Sequence, residues 1–465
     1  MEHRVKKLSL KRFSGAIMAL CKLVIVAAVV YAFLYLILNY YPETDFWFKG
    51  YFAFVFLYVV LYFTISSSYK CYQIGMLRLR ELLFAFLVAL VLGNFIMYFV
   101  LCLAAKMMLS VWPITILTLI QWGAGALLYT GADRLYFALH PSRSAVVICS
   151  DDKHELPLFS KLTASKERYN ICAVYCEKDG AEEIKEQIAP YSTIFLGEVS
   201  RQMRIEMTDH CFENNKRLIV TPSIDDIIFH SAHETFIGDS LMYQCRDRAF
   251  SLEQLIMKRI MDIVLSLIGI VITSPLMLVS AIIVKAQDGG PVLFRQLRYT
   301  RNLEAFTLLK FRSMVVDAEK DGPCFAVPGD ERITRYGRFM RATRIDELPQ
   351  FFNVLHGEMS LVGPRAERIE NVDYYLELMP EFRYRMKVKA GLTGYAQIYG
   401  KYNTSFQDKL KMDMLYIENC SLISDLQLLF LTFRILFTRE STEGFEVQTL
   451  EQMAADNGKK EDASS

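Results

Sequence analysis

The chain has 465 residues, of which 53% are hydrophobic and 22% charged, with a formal net charge of +1. It is too long for one ordinary domain, too apolar for a soluble protein and too polar for a membrane bundle alone, so membrane and soluble parts share it. The near-neutral charge argues against a nucleic-acid partner, and ten Cys without a CxxC pair show neither a zinc site nor a redox motif.

Four apolar runs open the chain: Gly15 to Asn39, Trp47 to Ser66, Leu82 to Ala105, and Leu109 to Thr130. Each holds about 20 or more apolar-dominated residues, enough to cross the hydrocarbon. Trp47 and Trp112 stand near two starts, as interfacial anchors do. The first run is too long for a cleaved signal peptide. Arg4, Lys6, Lys7, Lys11 and Arg12 precede it, Lys70, Arg78 and Arg80 fill the second loop, and Arg134 and Arg143 follow the fourth run. The first loop carries Glu43 and Asp45 instead. This asymmetry places both ends of the bundle in the cytosol. Asn94 and Gln121 are the polar residues at depth, too few for a transport path and suited to interhelical hydrogen bonds.

From Ala145 to Val220, short β-rich runs alternate with polar helical stretches: Ala145 to Cys149, Asn170 to Tyr175, Thr193 to Leu196, and Arg217 to Val220. The pattern predicts a small Rossmann-like, doubly wound sheet. Its first loop, Ser150-Asp151-Asp152-Lys153, has two acids and no glycine. A pyrophosphate could not approach such a backbone, so a structural or regulatory module is expected rather than a cofactor domain.

Ile260 to Val284 is a fifth long apolar run, with Ser274-Pro275 near its middle. Proline removes a donor and crowds the preceding turn, so a bend is expected there. Periodicity alone allows either a kinked spanning helix or two half-helices that enter and leave by one face. The Arg- and acid-rich segment that follows favours re-entry, which keeps that segment in the cytosol.

Residues 290 to 394 hold most of the chemistry. Asp346 and Glu347 precede Pro349, which predicts a helix start. There, both carboxylates can turn to the free amide end and stay ionised. Such a carboxylate can attack phosphorus or hold Mg²⁺, although an acidic pair at a helix start commonly only caps it. Lys310 and Arg312 have strand spacing and would share a face. Arg338 and Arg341 have helix spacing and would also share one. Arg365 follows Gly-Pro in a tight turn. Guanidinium groups bind phosphate oxygens in pairs, so the cluster points to phosphate chemistry at a membrane surface.

From Lys258 to about Gly444 the chain resembles the bacterial sugar transferases, the monotopic phosphoglycosyl transferases. The resemblance rests on Ser274-Pro275, Lys310-Phe-Arg-Ser-Met, Asp346-Glu347-Leu-Pro-Gln, Ser360-Leu-Val-Gly-Pro-Arg and Gly391-Leu-Thr-Gly-Tyr-Ala-Gln. It implies a mostly α catalytic domain with a re-entrant membrane helix. It also implies that Asp346 attacks the sugar-bearing phosphorus of a UDP-sugar, releases UMP, and passes the phosphosugar to undecaprenyl phosphate. Glu347 would support the site, with Mg²⁺ at Asp346 and Glu347. Lys310, Arg312 and Arg365 would hold phosphate oxygens, Arg338 and Arg341 would add to the field, and Gln397 and Asp413 would line the site. Two positions depart from the family pattern: Ala366 and Ala390 stand where proline is usual.

The reading divides the chain into a four-helix transmembrane bundle (1–140), a Rossmann-like cytosolic module (141–250), the transferase domain (251–445, re-entrant helix 260–284) and a disordered tail (446–465). It implies a multi-pass protein of the bacterial cytoplasmic (inner) membrane with the catalytic domain in the cytosol, initiating exopolysaccharide, capsule or O-antigen synthesis. Its partners would be the UDP-sugar, undecaprenyl phosphate and the lipid bilayer, with a homodimer left open. A membrane sensor or transport protein would leave the Arg-rich Asp-Glu segment unexplained. An inactive scaffold would not need both carboxylates.

Overall fold

Helices α1 (Ser14–Tyr40), α2 (Phe48–Ser68), α3 (Leu79–Ala105) and α4 (Trp112–Leu139) begin the first of two units, which divide between Thr221 and Pro222. The structure, a computed structural model, describes residues 13–41, 48–150, 168–245, 249–316, 318, 330–400 and 404–436. The expectations for the basic N-terminus, the first acidic loop, residues 151–153 and the tail lie outside these. All four helices are long and apolar enough to cross a membrane. α1 packs on α2 and α4, and α3 packs on α2 and α4. Asn94 and Gln121 meet between them. The Asn94 amide donates to Gln121 Oε1 and Thr118 Oγ1, both at 2.8 Å, and Tyr58 OH donates to Asn94 Oδ1 at 2.9 Å. Gln121 then donates to the Val29 carbonyl at 2.9 Å. Asn94 and Gln121 thus answer each other and their neighbours, as a low-dielectric interior favours. α4 continues beyond the expected end at Thr130, because the charges at Asp133 and Arg134 end the apolar run but not the helix. It stops at Leu139, one residue before the position preceding Pro141, which disfavours helical backbone there.

Strands β1 (Arg143–Cys149), β2 (Tyr169–Cys176), β3 (Thr193–Leu196) and β4 (Arg217–Val220) form one parallel sheet in the order β2-β1-β3-β4. Side chains alternate between its faces. Val146 and Ile148 pack on Ile184 of α5 (Ala181–Gln187) and on Met203 and Met207 of α6 (Arg201–Glu213), while Ala145 and Val147 meet Phe195 on the other face. The strand order reverses between β1 and β3, the place where such sheets take ligands. Glu177, just after β2, accepts a hydrogen bond from the Ser200 backbone N–H at 3.0 Å, at the start of α6.

The second unit opens with α7 (Ile224–His230) and the hairpin β5 (His233–Ile237) and β6 (Ser240–Gln244). Sequence pattern grouped residues 222–250 with the α/β module. Here α7 packs on α13 (Phe406–Glu418), and Ser231 donates to Glu418 at 3.1 Å. Next comes α8 (Leu252–Asp288), capped by Ser251 with Gln254 and ended by Gly289 at φ 70°, a left-handed turn that suits glycine. α8 stays helical through Pro275. Pro275 offers no N–H to the Val271 carbonyl, and the Ser274 hydroxyl donates to that carbonyl at 2.8 Å. Val271 and Ile272 are 72% and 70% exposed, whereas Lys258, Asp262 and Val284 toward the two ends are buried.

β7 (Leu293–Tyr299) and β8 (Ala305–Phe311) form an antiparallel hairpin, followed by α9 (Arg335–Thr343), α10 (Gln350–His356), β9 (Ser360–Val362) and α11 (Ile369–Leu378). β10 (Gly391–Thr393) pairs in parallel with β9, and α12 (Tyr395–Tyr399), α13 and α14 (Leu422–Leu436) close the unit. Val284, Phe311, Met340 and Ile345 form one apolar cluster that joins α8, β8, α9 and the turn bearing the acidic pair.

Candidate active site

Arg344 adopts the left-handed conformation at φ 56° and ends α9, and Ile345–Glu347 then form a 3₁₀ turn. The acidic pair thus lies one turn before α10 rather than inside its first turn. Glu347 N–H bonds to Arg344 O and Leu348 N–H to Ile345 O, both at 3.2 Å. Adjacent residues point about 120° apart at three residues per turn, so the two carboxylates diverge. Glu347 Oε1 faces Arg365 at 3.2 Å and Lys310 at 3.3 Å, and its Oε2 faces Arg344 at 3.6 Å. Asp346 is 9% exposed and, among the described residues, makes no hydrogen bond or ion pair.

Their acidities part accordingly. Burial, then the neighbouring Glu347 charge, pushes Asp346 up to about 6 against the pull of Lys310, Arg341 and Arg365. Burial would raise Glu347 too, but Lys310, Arg365 and Arg344 hold it well below the ordinary carboxylate range. Burial lowers Lys310, with Glu347 opposing. A partly desolvated, unpaired carboxylate beside a cation-bound one is an arrangement for nucleophilic chemistry at an electron-poor centre.

A small, partly open cavity lies beside Glu347, lined among others by Arg298, Lys310, Gln350 and Arg365. Of the sequence-predicted residues, Lys310, Glu347 and Arg365 meet here, and Arg341 acts on Asp346 by its charge. Arg341 also donates to Ser313 Oγ at 2.8 Å. Arg338 is exposed and, among the described residues, makes no ion pair. Arg312 goes elsewhere. β8 ends at Phe311, so the period-two pattern stops, and the Arg312 guanidinium turns to Asp288 at the end of α8 and to the Pro291 carbonyl at 2.8 Å. It is 6% exposed and fastens the membrane helix rather than facing the carboxylates.

Asp413 is a brace, not a lining residue. Its carboxylate, 1% exposed and pushed up to about 6 by burial, lies 2.8 Å from Arg385, which donates to the Arg365 carbonyl at 2.9 Å. On the other side of the turn, Lys258 donates to the Val362 carbonyl at 3.0 Å and to Asp425 at 2.5 Å. Tyr416 OH stands 3.1 Å from the same carbonyl and 2.9 Å from Asp425. Two buried ion pairs therefore pin the Gly363-Pro364-Arg365 turn. Gln397 stands on α12, outside the cavity lining, and its amide atoms are buried without a partner among the described residues. Arg298 and Gln350 were missed. Arg298 had a signal: β7 pairs Phe294 with Lys310 and Arg298 with Phe306, so strand parity puts Arg298 on the face of Lys310.

The turn also depends on close backbone approach. A Cβ on Gly363 would lie 2.4 Å from the Lys389 carbonyl oxygen, and one on Gly391 2.1 Å from Gly363 N. Gly363→Ala is expected to shift Arg365 and lower kcat/KM for the reaction at this site by about tenfold or more, as ångström-scale misplacement does. Steady-state kinetics on a variant with unchanged circular dichroism tests this; full activity would show that the turn tolerates the methyl group.

Among the described residues no three His, Cys, Asp or Glu converge as a metal cage. Both Glu347 oxygens already face cations, whereas the Asp346 carboxylate is uncommitted. A single free carboxylate could hold a cation such as Mg²⁺ only with further ligands from outside the protein.

The bacterial sugar transferase family profile matches residues 253–439. The chain is 38% identical over 194 residues to the exopolysaccharide production protein PSS of Rhizobium leguminosarum bv. phaseoli, covering 40% of this chain and 97% of that one. The chain belongs to the bacterial sugar transferase family. This sugar transferase is also 44% identical over 184 residues to the UDP-N-acetylgalactosamine-undecaprenyl-phosphate N-acetylgalactosaminephosphotransferase of Aeromonas hydrophila. It is 41% identical over 183 residues to the UDP-glucose:undecaprenyl-phosphate glucose-1-phosphate transferase of Klebsiella pneumoniae. These matches cover 39% and 38% of the sugar transferase, and only 44% and 39% of the two relatives.

Proposed function

We propose that this sugar transferase moves a sugar 1-phosphate from a UDP-sugar to undecaprenyl phosphate and releases UMP, initiating synthesis of an exopolysaccharide, capsule or O-antigen. The observation that carries the reading is the divided acidic pair: Glu347 gripped by three cations, Asp346 buried and unpaired. The names of the Aeromonas and Klebsiella relatives support the donor and acceptor classes. In the first step an Asp346 oxygen bonds to the sugar-bearing phosphorus, and the phosphorus–oxygen bond to UMP breaks with its electron pair leaving on UMP. In the second, an undecaprenyl phosphate oxygen bonds to the same phosphorus and the Asp346 carboxylate departs regenerated. Lys310 and Arg365 oppose the charge that builds on the phosphoryl oxygens. Mg²⁺ held at Asp346 with substrate phosphate would offset the diphosphate charge, while Glu347, expected from sequence as a second ligand, is instead engaged by Lys310, Arg344 and Arg365.

Asp346 must be ionised to attack. Its acidity near 6 therefore predicts kcat/KM that is level above that pH and falls about tenfold per unit below it. A pH profile without an acid limb near 6 would separate the titration of Asp346 from the rate. The test of the activity is UMP release by purified, detergent-solubilised protein with undecaprenyl phosphate, Mg²⁺ and a panel of UDP-sugars. Release with one sugar is expected; release with none would overturn the reading.

The same reading makes α8 re-entrant and the transferase unit cytosolic, behind four spanning helices in the cytoplasmic membrane. Both ends of α8 fasten to one unit: Arg259 donates to the Val354 and Leu355 carbonyls at 2.6 and 2.7 Å, and Asp288 binds Arg312. A straight helix would separate Lys258 from Val284 by about 39 Å, more than the hydrocarbon thickness. A label on Asn419→Cys is expected to react from the cytosolic side only; labelling from outside would contradict re-entry.

A further inference from the structure

The cavity beside Glu347 holds more positive than negative charge. Arg298, Lys310 and Arg365 line it, and Glu347 is the single acid among its lining residues, which leaves a formal +2. Lys310 and Arg365 share Glu347 Oε1. Arg298 has only neutral acceptors. Its Nε and Nη2 donate to Gln296 Oε1 at 3.1 and 2.6 Å, and its Nη1 donates to the Ala366 carbonyl at 2.9 Å. Among the described residues it makes no ion pair. Glu367 acts on Arg298 from a distance, but it also answers Arg385, Arg365 and Lys409.

A guanidinium has five N–H donors, and three are used here, so two remain. A largely enclosed cation without a counter-charge is costly unless an anion completes it. Burial and the like charge of Arg365 push Arg298 down to about 10, which is the same strain expressed as acidity. The neutral hydrogen bonds to Gln296 and Ala366 fix the direction of the fork without cancelling its charge. Ala366 is also the residue that stands where the family usually has proline, and its carbonyl is one of the two anchors.

The position of Arg298 selects between the two phosphates of the donor. The transferred phosphate must touch Asp346. Asp346 is not among the residues lining the cavity, whereas Glu347, on the diverging side of the 3₁₀ turn, is. Resting on the donor reading above, we infer that Arg298 binds the other phosphate, the one that leaves as UMP, and holds it beside Lys310 and Arg365. Arg298 thereby stabilises the charge released in the first half-reaction and takes no part in the second.

The probe is UMP itself, titrated calorimetrically into the full-length protein in detergent micelles. Arg298→Gln is expected to weaken UMP binding at least tenfold, and Arg298→Lys to recover part of it. In single-turnover experiments Arg298→Gln should slow UMP release while leaving the discharge of a preformed phosphosugar adduct by undecaprenyl phosphate within about twofold. Unchanged UMP affinity in a folded Arg298→Gln protein, or equal slowing of both half-reactions, would overturn the assignment. Arg298-dependent UMP binding in a protein that transfers no sugar phosphate would leave the anion site standing and sink the transfer reading instead.

Discussion

Asp346→Asn is expected to lower UMP release by roughly a thousandfold or more, the scale seen when a covalent nucleophile is removed. The amide has nearly the same shape but cannot form the acyl phosphate. The same change should not harm the fold. Asp346 is buried and its acidity is raised to about 6 from the ordinary 3.8, so at neutral pH the ionised carboxylate opposes folding by about 3 kcal/mol. The sign follows from the direction of the shift: an acid whose pKa rises on folding destabilises fully above the folded value, and the effect shrinks as pH falls from about 6 and is gone below the unfolded value of 3.8. A neutral amide removes that opposition, so the melting temperature of Asp346→Asn should equal or exceed that of the unaltered protein. Gain of stability with loss of turnover is the signature of a site held in a strained state for function. Activity within tenfold of normal would remove Asp346 from the nucleophile's role. Parallel loss of activity and stability would make it a structural acid.

The second large effect is expected at the brace behind Arg365. Arg385 and Asp413 are 2% and 1% exposed and 2.8 Å apart. Removing one member of a buried ion pair strands the other charge, at a cost of about 3–5 kcal/mol. Arg385→Met should therefore lower thermal stability by that order and also free the Arg365 carbonyl that Arg385 holds. The double change Arg385→Met with Asp413→Leu removes both charges and should recover much of the stability. It should not recover activity, because the turn is still unanchored. Thermal melting with steady-state kinetics separates the two effects. Recovery of both together would mean that the pair serves packing alone. A single change that costs less than about 1 kcal/mol would mean that water reaches the pair.

The parts that could be read in the chain are those set by local pattern. Hydrophobic length gave α1 to α4, and β-rich runs gave the four parallel strands to within two residues at each end. The meeting of Lys310, Glu347 and Arg365 followed from clustered charge. Arg312 could not be placed this way, because its partner Asp288 is 24 residues away across a hairpin, and nothing local says that β8 ends at Phe311. Asp413 and Arg385 meet through tertiary packing, so neither residue type nor spacing announces the brace. Pro275 was read as a break because its missing donor is a local fact. The Ser274 hydroxyl that answers the orphaned carbonyl is equally local, and it lets helical structure continue through the proline. Arg298 was legible from strand parity across the β7–β8 hairpin, a signal present in the register and not used.

The most direct measurement is intact-mass spectrometry of the protein quenched after brief exposure to its UDP-sugar and Mg²⁺ without acceptor lipid. A mass increase equal to one sugar phosphate is expected, mapped to the peptide that contains Asp346, absent in Asp346→Asn, and discharged when undecaprenyl phosphate is added. UMP release that proceeds only with acceptor present, with no adduct at any time, would contradict the covalent route and leave Asp346 a supporting charge in a direct transfer.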